Sequence, residues 1–193
     1  CGDSAVDRSY NSGAVQALTG NYGVAYAGGL IGYSETTAAR VSNCFNEGAV
    51  TAMAAAFSGN VFCDDAYAGG ISGYYAGLTD RCYNSGIVHA QANDDYGIND
   101  EAAYAGGMTG GAATDAVISN CASVQPSVSA SAGDEQYCRI ACGGTKSNNA
   151  TVSRVSSGSQ NDADLIVSEE EARGRALYAD SLGWDFSSVW EMV

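Results

Sequence analysis

Short blocks of apolar and small residues recur along this chain and are separated by glycine and asparagine. The block at residues 26–32 (YAGGLIG) recurs at 67–73 and 104–110, and a degenerate fourth copy begins at Tyr137. The tyrosines that open successive blocks are 33 to 41 residues apart. A period of this length is typical of a stacked array of structural repeats.

A second block, with a cysteine, an aromatic residue and an asparagine, lies between the glycine-rich blocks. It occupies residues 43–48 (NCFNEG) and 81–86 (RCYNSG), with an earlier copy at 8–13 (RSYNSG) and a worn one at Asn120-Cys121. Glycine pairs disfavour helical arrays, since each glycine costs roughly 1 kcal/mol relative to alanine inside a helix. Short strands joined by glycine and asparagine corners fit the pattern better.

One repeat offers three candidate strands: the glycine-rich block, the stretch around the cysteine such as residues 40–45, and the stretch after the corner such as 49–54. Three strands and three corners fit one coil of a parallel β-solenoid, where each strand pairs with its counterpart one repeat along. The prediction is therefore an all-β chain, with a parallel β-solenoid (β-helix) of about four coils over residues 1–160. A division of each repeat into two shorter coils fits the same pattern.

Stacking in register would align equivalent side chains into columns. Two interior columns are predicted, one of Leu30, Ile71 and Met108, and one of Cys44, Cys82, Cys121 and Val155. The tyrosines that open the blocks share the parity of the leucine column, which favours packing in the core or at a corner over an exposed sugar-stacking row for Tyr26, Tyr67, Tyr104 and Tyr137. A second aromatic row, formed by Tyr10, Phe45 and Tyr83, fits either the interior or an exposed row that stacks on sugars.

The repeat pattern stops before residues 161–193, which form the second predicted domain. Ser168 and Glu171 have the spacing of a capping box, which predicts one short helix of roughly three turns. Trp184, Phe186 and Trp190 are too apolar to be left in water. We expect this segment to cap the open end of the stack, with its aromatic rings on the last coil.

Composition and charge narrow the class of protein. The chain has 193 residues, 25 glycines, one proline and a formal net charge of −14, with only eight basic residues. This charge would repel a phosphate backbone and disfavours nucleic-acid binding. Apolar runs are too short to cross a membrane. Because residues 7–13 closely copy residues 80–86, the chain is interpreted as starting inside a repeat of a longer protein; Cys1 as a lipid-modified first residue is the alternative.

Residues 27–32 (AGGLIG) followed by residues 42–50 (SNCFNEGAV) resemble the GLUG-motif repeats of bacterial surface proteins. These proteins include adhesin-like proteins and the non-catalytic regions of IgA-specific metallopeptidases. The tail at residues 182–190 resembles the Gly-Trp-Asp-Phe segment that often follows such repeats. The resemblance implies a secreted or wall-attached bacterial protein, located outside the cell or at its surface, and supplies no catalytic residue.

Few residues offer catalytic chemistry. His89 is the only histidine, and strand alternation places it at the surface, so a hydrolytic triad or a histidine-rich metal centre is hard to build. Lys146 does not follow a phosphate-binding glycine loop, and neither a Gly-x-Ser-x-Gly nor a His-Glu-x-x-His motif occurs. The prediction is that the chain is not an enzyme and has no catalytic or cofactor-binding residues.

The cysteines are interpreted as structural. The recurring thiols favour a buried column, and a partly oxidised ladder is the alternative. Cys138 and Cys142 lack the spacing and the histidine partner of a zinc site. In an exported chain, Cys1 and Cys63 are the best suited to find an oxidised partner, since both fall outside the column.

Acidic loops are the remaining candidate site. Asp94, Asp95, Asp100 and Glu101 are weak calcium candidates, because calcium takes six to eight oxygen ligands, but a solvated acidic loop is the favoured explanation. Paired carboxylates also permit a polysaccharide-active enzyme that uses Asp64, Asp94 and Asp100. The preferred interpretation is a non-enzymatic repeat module, either a structural stalk or an adhesin-like binding domain. Its expected partners are a host or matrix protein or glycan, and further repeats or domains of the parent chain.

Overall fold

The computed structural model describes residues 4–20, 23–55, 65–93, 101–153 and 163–190. These residues form twenty-one strands and two short helices. The strands are β1 (Ala5–Asp7), β2 (Tyr10–Asn11), β3 (Val15–Thr19), β4 (Ala25–Gly28), β5 (Ile31–Ser34), β6 (Arg40–Ser42), β7 (Phe45–Asn46), β8 (Val50–Ala55), β9 (Ala66–Gly69), β10 (Ser72–Tyr75), β11 (Leu78–Asp80), β12 (Tyr83–Asn84), β13 (Val88–Asn93), β14 (Ala102–Gly106), β15 (Thr109–Ser119), β16 (Ala122–Ser123), β17 (Val128–Ser131), β18 (Asp134–Cys138), β19 (Ala141–Ser147), β20 (Ala150–Val152) and β21 (Leu165–Val167).

The strands form four sheets with parallel pairing. A seven-stranded sheet has the order β1-β6-β11-β15-β10-β5, with β19 beside β15, and a six-stranded sheet has the order β2-β7-β12-β16-β20-β21. Two four-stranded sheets have the orders β17-β13-β8-β3 and β18-β14-β9-β4. Equivalent strands of successive repeats are neighbours, so Tyr67 lies between Tyr26 and Tyr104. The all-β class and the parallel pairing between repeats are confirmed.

The prediction of a single parallel β-solenoid with three strands per coil is wrong. The strands divide among four sheets, and residues 25–55 alone form five strands, β4 to β8. The glycine-rich block supplies two of these strands because the strand is interrupted at Gly29. A β-carbon at Gly29 would collide with the carbonyl oxygen of Gly70, so only glycine lets the two backbones approach so closely.

Equivalent corners mark five copies of the cysteine block rather than four. The corner residues share a left-handed backbone and are Arg8, Asn43, Arg81, Asn120 and Asn148, with φ between 49° and 56°. Asparagine tolerates this conformation because its short side chain can hydrogen-bond locally. The fifth copy is not recognisable in the sequence, because Asn149 occupies the position of Cys44, Cys82 and Cys121 in the three preceding copies. Val155, the predicted last member of that column, lies outside the described residues.

The core consists mainly of alanine and small apolar side chains. Ala66 and Ala68 are buried in β9, and the equivalent alanines of neighbouring strands stack above and below them. The leucine column is confirmed: Ile71 and Met108 are buried, Leu30 packs against them, and Ile140 extends the column. Small side chains let the sheets approach closely, which a parallel stack with all its strands partly buried requires.

The fourth glycine-rich copy is shifted by one residue from its predicted alignment. Gln136 pairs with Tyr104, and Tyr137 pairs with Ala105. A shift of one residue moves a side chain to the other face of a strand, so Tyr137 packs against the alanine core. The tyrosine column therefore ends at Tyr104.

The C-terminal segment (residues 163–190) begins with β21, which covers the edge of the six-stranded sheet by pairing with β20. The capping box is present, because the Glu171 carboxylate accepts from the Ser168 N–H at 2.8 Å and Ser168 Oγ accepts from the Glu171 N–H at 3.1 Å. A three-turn helix does not follow. Gly174 is extended and separates a 3₁₀ helix at Glu171–Arg173 from a five-residue π-helix at Leu177–Ser181. Neither helix of the described segment is long and apolar enough to span a membrane.

Candidate ligand-binding groove

Most of the predicted acidic site lies outside the described residues. Asp64, Asp94, Asp95 and Asp100 are among the residues that the structure does not describe. Glu101 is described, and it is buried beside the start of β14. Within the five described ranges, no group of three or more His, Cys, Asp or Glu side chains is placed to hold a metal ion.

Asp65, next to the predicted acidic positions, has structural partners. Its carboxylate accepts a hydrogen bond from the Tyr67 hydroxyl at 2.9 Å and another from the Ala102 N–H at 3.0 Å. The bond from Tyr67 links two residues that are close in sequence, and the bond from Ala102 links neighbouring repeats. Asp65 therefore helps to hold the tyrosine row in place.

The thiol column is buried, as predicted. Cys44, Cys82 and Cys121 are free and inaccessible. Burial raises the pKa of the Cys82 thiol well above its usual range, so this thiol stays protonated and unreactive. Cys138 and Cys142 form a disulfide with their Cα atoms 5.5 Å apart, a pairing that the sequence did not predict.

His89 lies in a polar column of the sheet that contains β13. The imidazole Nδ1 is 2.9 Å from Ser129 Oγ, and the side chain is half-buried. Thr51 and Ser129 occupy the same position in the neighbouring repeats. His89 has the surroundings of an ordinary residue of a sheet face.

The first aromatic row is a ladder of stacked tyrosines. The Tyr67 ring stacks on Tyr26 with 5.2 Å between centroids and on Tyr104 with 4.6 Å. Tyr33 and Tyr74 form a second stacked pair beside the ladder, 5.6 Å apart. Packing in the core, one of the two predicted positions, is wrong, because the ladder rings are half-buried and the alternating alanines face the core.

The ladder geometry leaves little ring surface for a ligand. Both faces of Tyr67 are covered by its neighbours in the ladder, and Tyr74 meets it edge-on at 5.8 Å. A sugar ring binds by stacking on an open aromatic face, so the Tyr67 ring, which has none, cannot bind a sugar in this way. The tyrosine ladder is therefore a structural feature of the repeat stack.

The second aromatic row lies on the six-stranded sheet, and the C-terminal segment runs along it. The Trp190 ring lies 6.4 Å from Phe45, and Tyr178 lies 6.3 Å from Tyr83. Trp184 stacks on Trp190 at 4.3 Å and packs against Tyr178 at 4.8 Å. The expectation that these aromatic side chains pack on the last repeat is confirmed only in part: Trp184 packs with Ala122 and Ala150, but Trp190 extends to Phe45 of the second cysteine block.

Trp184 anchors the segment on the sheet. Its indole Nε1 donates a 2.7 Å hydrogen bond to the carbonyl oxygen of Asn120, and the side chain is almost fully buried. Nearby, Asn148 Nδ2 donates a 2.9 Å bond to the Ser181 carbonyl. Asn120, which accepts the first bond, and Asn148, which donates the second, both occupy left-handed corners. The corners of the repeats therefore hold the C-terminal segment in place.

A groove of about 720 Å³ remains between the segment and the repeat face. This volume lies within the roughly 300–1,000 Å³ typical of small-ligand sites. The aromatic side chains of its lining are Phe45, Tyr83, Tyr178, Trp184, Phe186 and Trp190, and its polar ones are Arg8, Asn43, Glu47 and Arg173. An apolar surface with a few convergent polar groups is the usual composition of a binding site.

Half of the eight basic residues of this chain lie at the groove. Arg8 and Arg173 line it. Arg81 Nε donates a 3.2 Å hydrogen bond to Oδ1 of Asn43, which lines the groove, and the Arg175 guanidinium lies 4.7 Å from the centroid of the Phe186 ring. Basic residues are therefore concentrated at the groove of an acidic protein, although Asp7 pairs with Arg8 and Asp80 pairs with Arg81.

The sequence pointed to five of the six aromatic residues of the groove without bringing them together, and it did not indicate Tyr178. It left Phe45 and Tyr83 undecided and placed Trp184 and Trp190 on the last repeat. It did not single out Arg8 or Arg173. The signal for Arg8 was available, because arginine replaces asparagine at that corner of the repeat.

Comparison with known proteins supports the repeat assignment. Residues 23–51 match the profile of the GLUG motif, which confirms the resemblance at those positions. No curated protein sequence matches this chain. A crystal structure from Bacteroides ovatus, of a protein provisionally identified as an immunoglobulin A1 protease, superposes with a TM-score of 0.57 at 18% identity. The match covers 89% of this chain and 51% of that one, so the likeness concerns the fold, and the chain spans about half that protein's length.

Proposed function

We propose that this chain is a non-enzymatic, ligand-binding module of a bacterial cell-surface protein, and that its ligand binds in the groove beneath the C-terminal segment. The observation that carries the proposal is the groove itself, which combines six aromatic side chains with two arginines, an asparagine and a glutamate. The GLUG-motif match at residues 23–51 supports a place in a bacterial surface protein. A host or matrix glycan or protein is the expected class of ligand.

The polar groups of the groove favour binding over catalysis. A guanidinium stays protonated in proteins and an amide does not titrate, so neither exchanges protons near neutral pH. Among the residues that the structure describes, Glu47 is the one carboxylate of the lining, whereas a glycosidase of the usual kind uses a pair. The alternative of a polysaccharide-active enzyme depends on Asp64, Asp94 and Asp100, which lie outside the described residues.

A panel of glycans and matrix proteins, with and without calcium, tests the proposal. The intact chain is compared with Trp190→Ala, which removes a ring from the groove, and with Tyr33→Ala, which removes a ring beside the tyrosine ladder. Tyr33 is 45% exposed, so its removal leaves the core intact. We expect the intact chain and Tyr33→Ala to bind the same ligands and Trp190→Ala to lose them. Binding by none of the three, or binding that Trp190→Ala retains, would refute the proposal.

A further inference from the structure

Arginines are concentrated at the groove, although the chain as a whole is strongly acidic. The protein has a net charge of −14, yet four of its eight basic residues lie at one site. Asp7 and Asp80 pair with Arg8 and Arg81, so these carboxylates reduce the net charge of the cluster. An anion would therefore be held by direct hydrogen bonds from guanidinium groups rather than by a long-range potential. The ligand that such guanidinium groups bind best carries a negative charge.

Arg8 occupies a backbone conformation that does not suit it. Three of the five equivalent corners carry asparagine, whereas Arg8 and Arg81 hold φ values of 50° and 49°. A left-handed backbone costs roughly 1–2 kcal/mol for a residue with an ordinary side chain, and strain of this kind is common at functional sites. Both strained arginines lie at the groove.

Contacts within the protein do not explain why arginine is present at Arg8. Its guanidinium Nε lies 3.4 Å from the carboxylate of the adjacent Asp7, and both side chains are well exposed, at 61% and 45%. Exposed ion pairs of this kind contribute little to stability. Arg173 is also exposed, and it forms no ion pair with any residue that the structure describes. Both guanidinium groups therefore remain available to a ligand.

The aromatic lining selects among anions. Tyr10 stacks on one face of Phe45 and Trp184 stacks on Trp190, but Phe45 and Trp190 meet at 51° with their centroids 6.4 Å apart. The angle between Phe45 and Trp190 interrupts the stack, so ring surface faces the groove. The C–H groups of a pyranose ring pack on such surfaces, whereas a phosphate or sulfate ion alone would gain nothing from them. Glu47 adds a carboxylate that accepts hydrogen bonds from hydroxyl groups of a sugar. The lining therefore suits a sugar ring with one acidic substituent.

We infer that the groove binds a carboxylated sugar, whose pyranose ring packs on Phe45 and Trp190 while Arg8 and Arg173 bind its carboxylate. Guanidinium and carboxylate groups match in two-pronged hydrogen bonding, which gives the charge-assisted bonds their strength. The inference rests on the proposed function, because it names the ligand class of the same groove. Sialic acids and uronic acids share this chemistry.

Titration with four sugars separates the possible sources. Sialyllactose and trigalacturonate are the carboxylated probes, and lactose and maltotriose are their neutral counterparts. Trp184 and Trp190 are the only two tryptophans and both line the groove, so the intrinsic fluorescence of the protein reports binding. We expect at least one carboxylated sugar to bind about tenfold more tightly than its neutral counterpart, since a hydrogen bond to a charged group is worth about 1.5–3 kcal/mol. Which of the two binds identifies the source of the carboxylate.

Arg8→Asn is the most informative variant, because asparagine is the residue at the equivalent corners of three other repeats. It relieves backbone strain, so the denaturation midpoint is expected to hold or rise while affinity for the carboxylated sugar falls about tenfold. Arg173→Gln is expected to weaken binding similarly. Arg40→Gln, an exposed arginine of β6 outside the groove lining, is the control for loss of one charge and is expected to change nothing.

Each outcome decides the inference. If neutral and carboxylated sugars bind equally, or if Arg8→Asn binds as well as Arg40→Gln, the groove binds without selecting a carboxylate; the inference is then overturned, while the proposed binding function stands. If none of the four sugars binds, the inference is also overturned. The proposed function itself fails only if the full glycan and matrix-protein panel is negative as well.

Discussion

The two aromatic rows of this protein arise from the same repeat and have different roles. In the tyrosine ladder, Tyr26, Tyr67 and Tyr104 cover one another face to face. In the second row, Phe45 and Tyr83 are met by rings of the C-terminal segment, which lie at angles of 51° and 61° to them. Repetition of an aromatic residue therefore gives a structural ladder when the rings stack on each other, and a groove when a non-repeated segment lies over them.

The difference follows from which part of the chain supplies the partner rings. A ladder ring finds its partner one repeat away at the same position, so its environment is set by the repeat. In the second row, Phe45 also stacks on Tyr10 one repeat away, at 5.0 Å, but it has a further partner in the C-terminal segment, which has no counterpart in the repeats. The non-repeated segment breaks the symmetry of the stack and creates one site rather than a row of equivalent ones.

The largest expected effect is on the groove side, from Trp184→Ala. This ring is buried, stacks on Trp190 and donates to the Asn120 carbonyl at 2.7 Å. Its removal should lower the free energy of unfolding by about 3–5 kcal/mol and release the C-terminal segment. Urea denaturation measures the loss, and Trp184→Phe, which keeps a ring but loses the hydrogen bond, should lose less. A loss below about 1 kcal/mol for the alanine variant would show that the segment is not anchored there.

Tyr67→Ala is the matching change in the tyrosine ladder. It removes two stacking contacts and the hydrogen bond to Asp65 at 2.9 Å. We expect a loss of about 2–3 kcal/mol of stability, because each aromatic pair contributes about 0.5–1.5 kcal/mol beyond burial. Tyr33→Ala, at the more exposed pair, should cost less. Ligand binding in the groove should not change, and a binding defect in Tyr67→Ala at a temperature where it is folded would contradict the separation of the two rows.

Reduction of the Cys138–Cys142 disulfide should have a smaller effect. The bond closes a loop between two residues only 4 apart in sequence, so its expected contribution is about 2 kcal/mol. Cys138 belongs to the strand that pairs with Tyr104's strand, on the ladder side of the molecule. Thermal denaturation with and without reductant should show the loss, whereas groove affinity should stay constant. Equal stability of the two forms would indicate that the bond constrains neither state.

Phenols of the repeats and the Asp185 carboxylate of the C-terminal segment should respond to opposite extremes of pH. A hydrogen bond with Glu35 raises the pKa of Tyr33 to about 12, and burial in the core cluster with Ile71 raises the pKa of Tyr75 to about 12. A raised pKa means that these phenols stabilise the fold fully below pH 10 and that the stabilisation is lost as pH rises through about 12. Phenolate absorbance during alkaline denaturation should show these two phenols ionising well above pH 10, and Tyr67 and Tyr178, whose pKa values are raised further by burial, ionising after them. Their ionisation with the bulk near pH 10 would contradict the described contacts.

In the C-terminal segment the sign is reversed. Hydrogen bonds from Ser187 and Ser188 lower the pKa of Asp185 to about 2. A lowered pKa means that the stabilisation is present above the ordinary value of 3.8 and is lost as pH falls towards 2. Acid titration should therefore change tryptophan fluorescence below pH 3.8 before the ladder signals change, and Asp185→Asn should remove this dependence.

Features that recur in every repeat were predictable from the sequence, whereas contacts that depend on non-repeated segments were not. The spacing of the tyrosine blocks was enough to predict parallel pairing between repeats and the Ile71–Met108 column, because a ladder follows from the period alone. The division into four sheets was not predictable, since the break at Gly29 depends on its contact with Gly70 of the next repeat. The groove was missed for a similar reason: Trp184 and its acceptor Asn120 are 64 residues apart in sequence.

The central claim is that ligand binds at the tryptophan-lined groove and not at the tyrosine ladder. Because the chain has only two tryptophans, a proton–nitrogen NMR spectrum contains one indole signal for Trp184 and one for Trp190. Titration with the carboxylated sugar that binds should move both indole signals in a saturable way and leave the ring signals of Tyr67 in place. Binding that leaves both indole signals unmoved, or that moves the ladder tyrosines instead, would contradict the account.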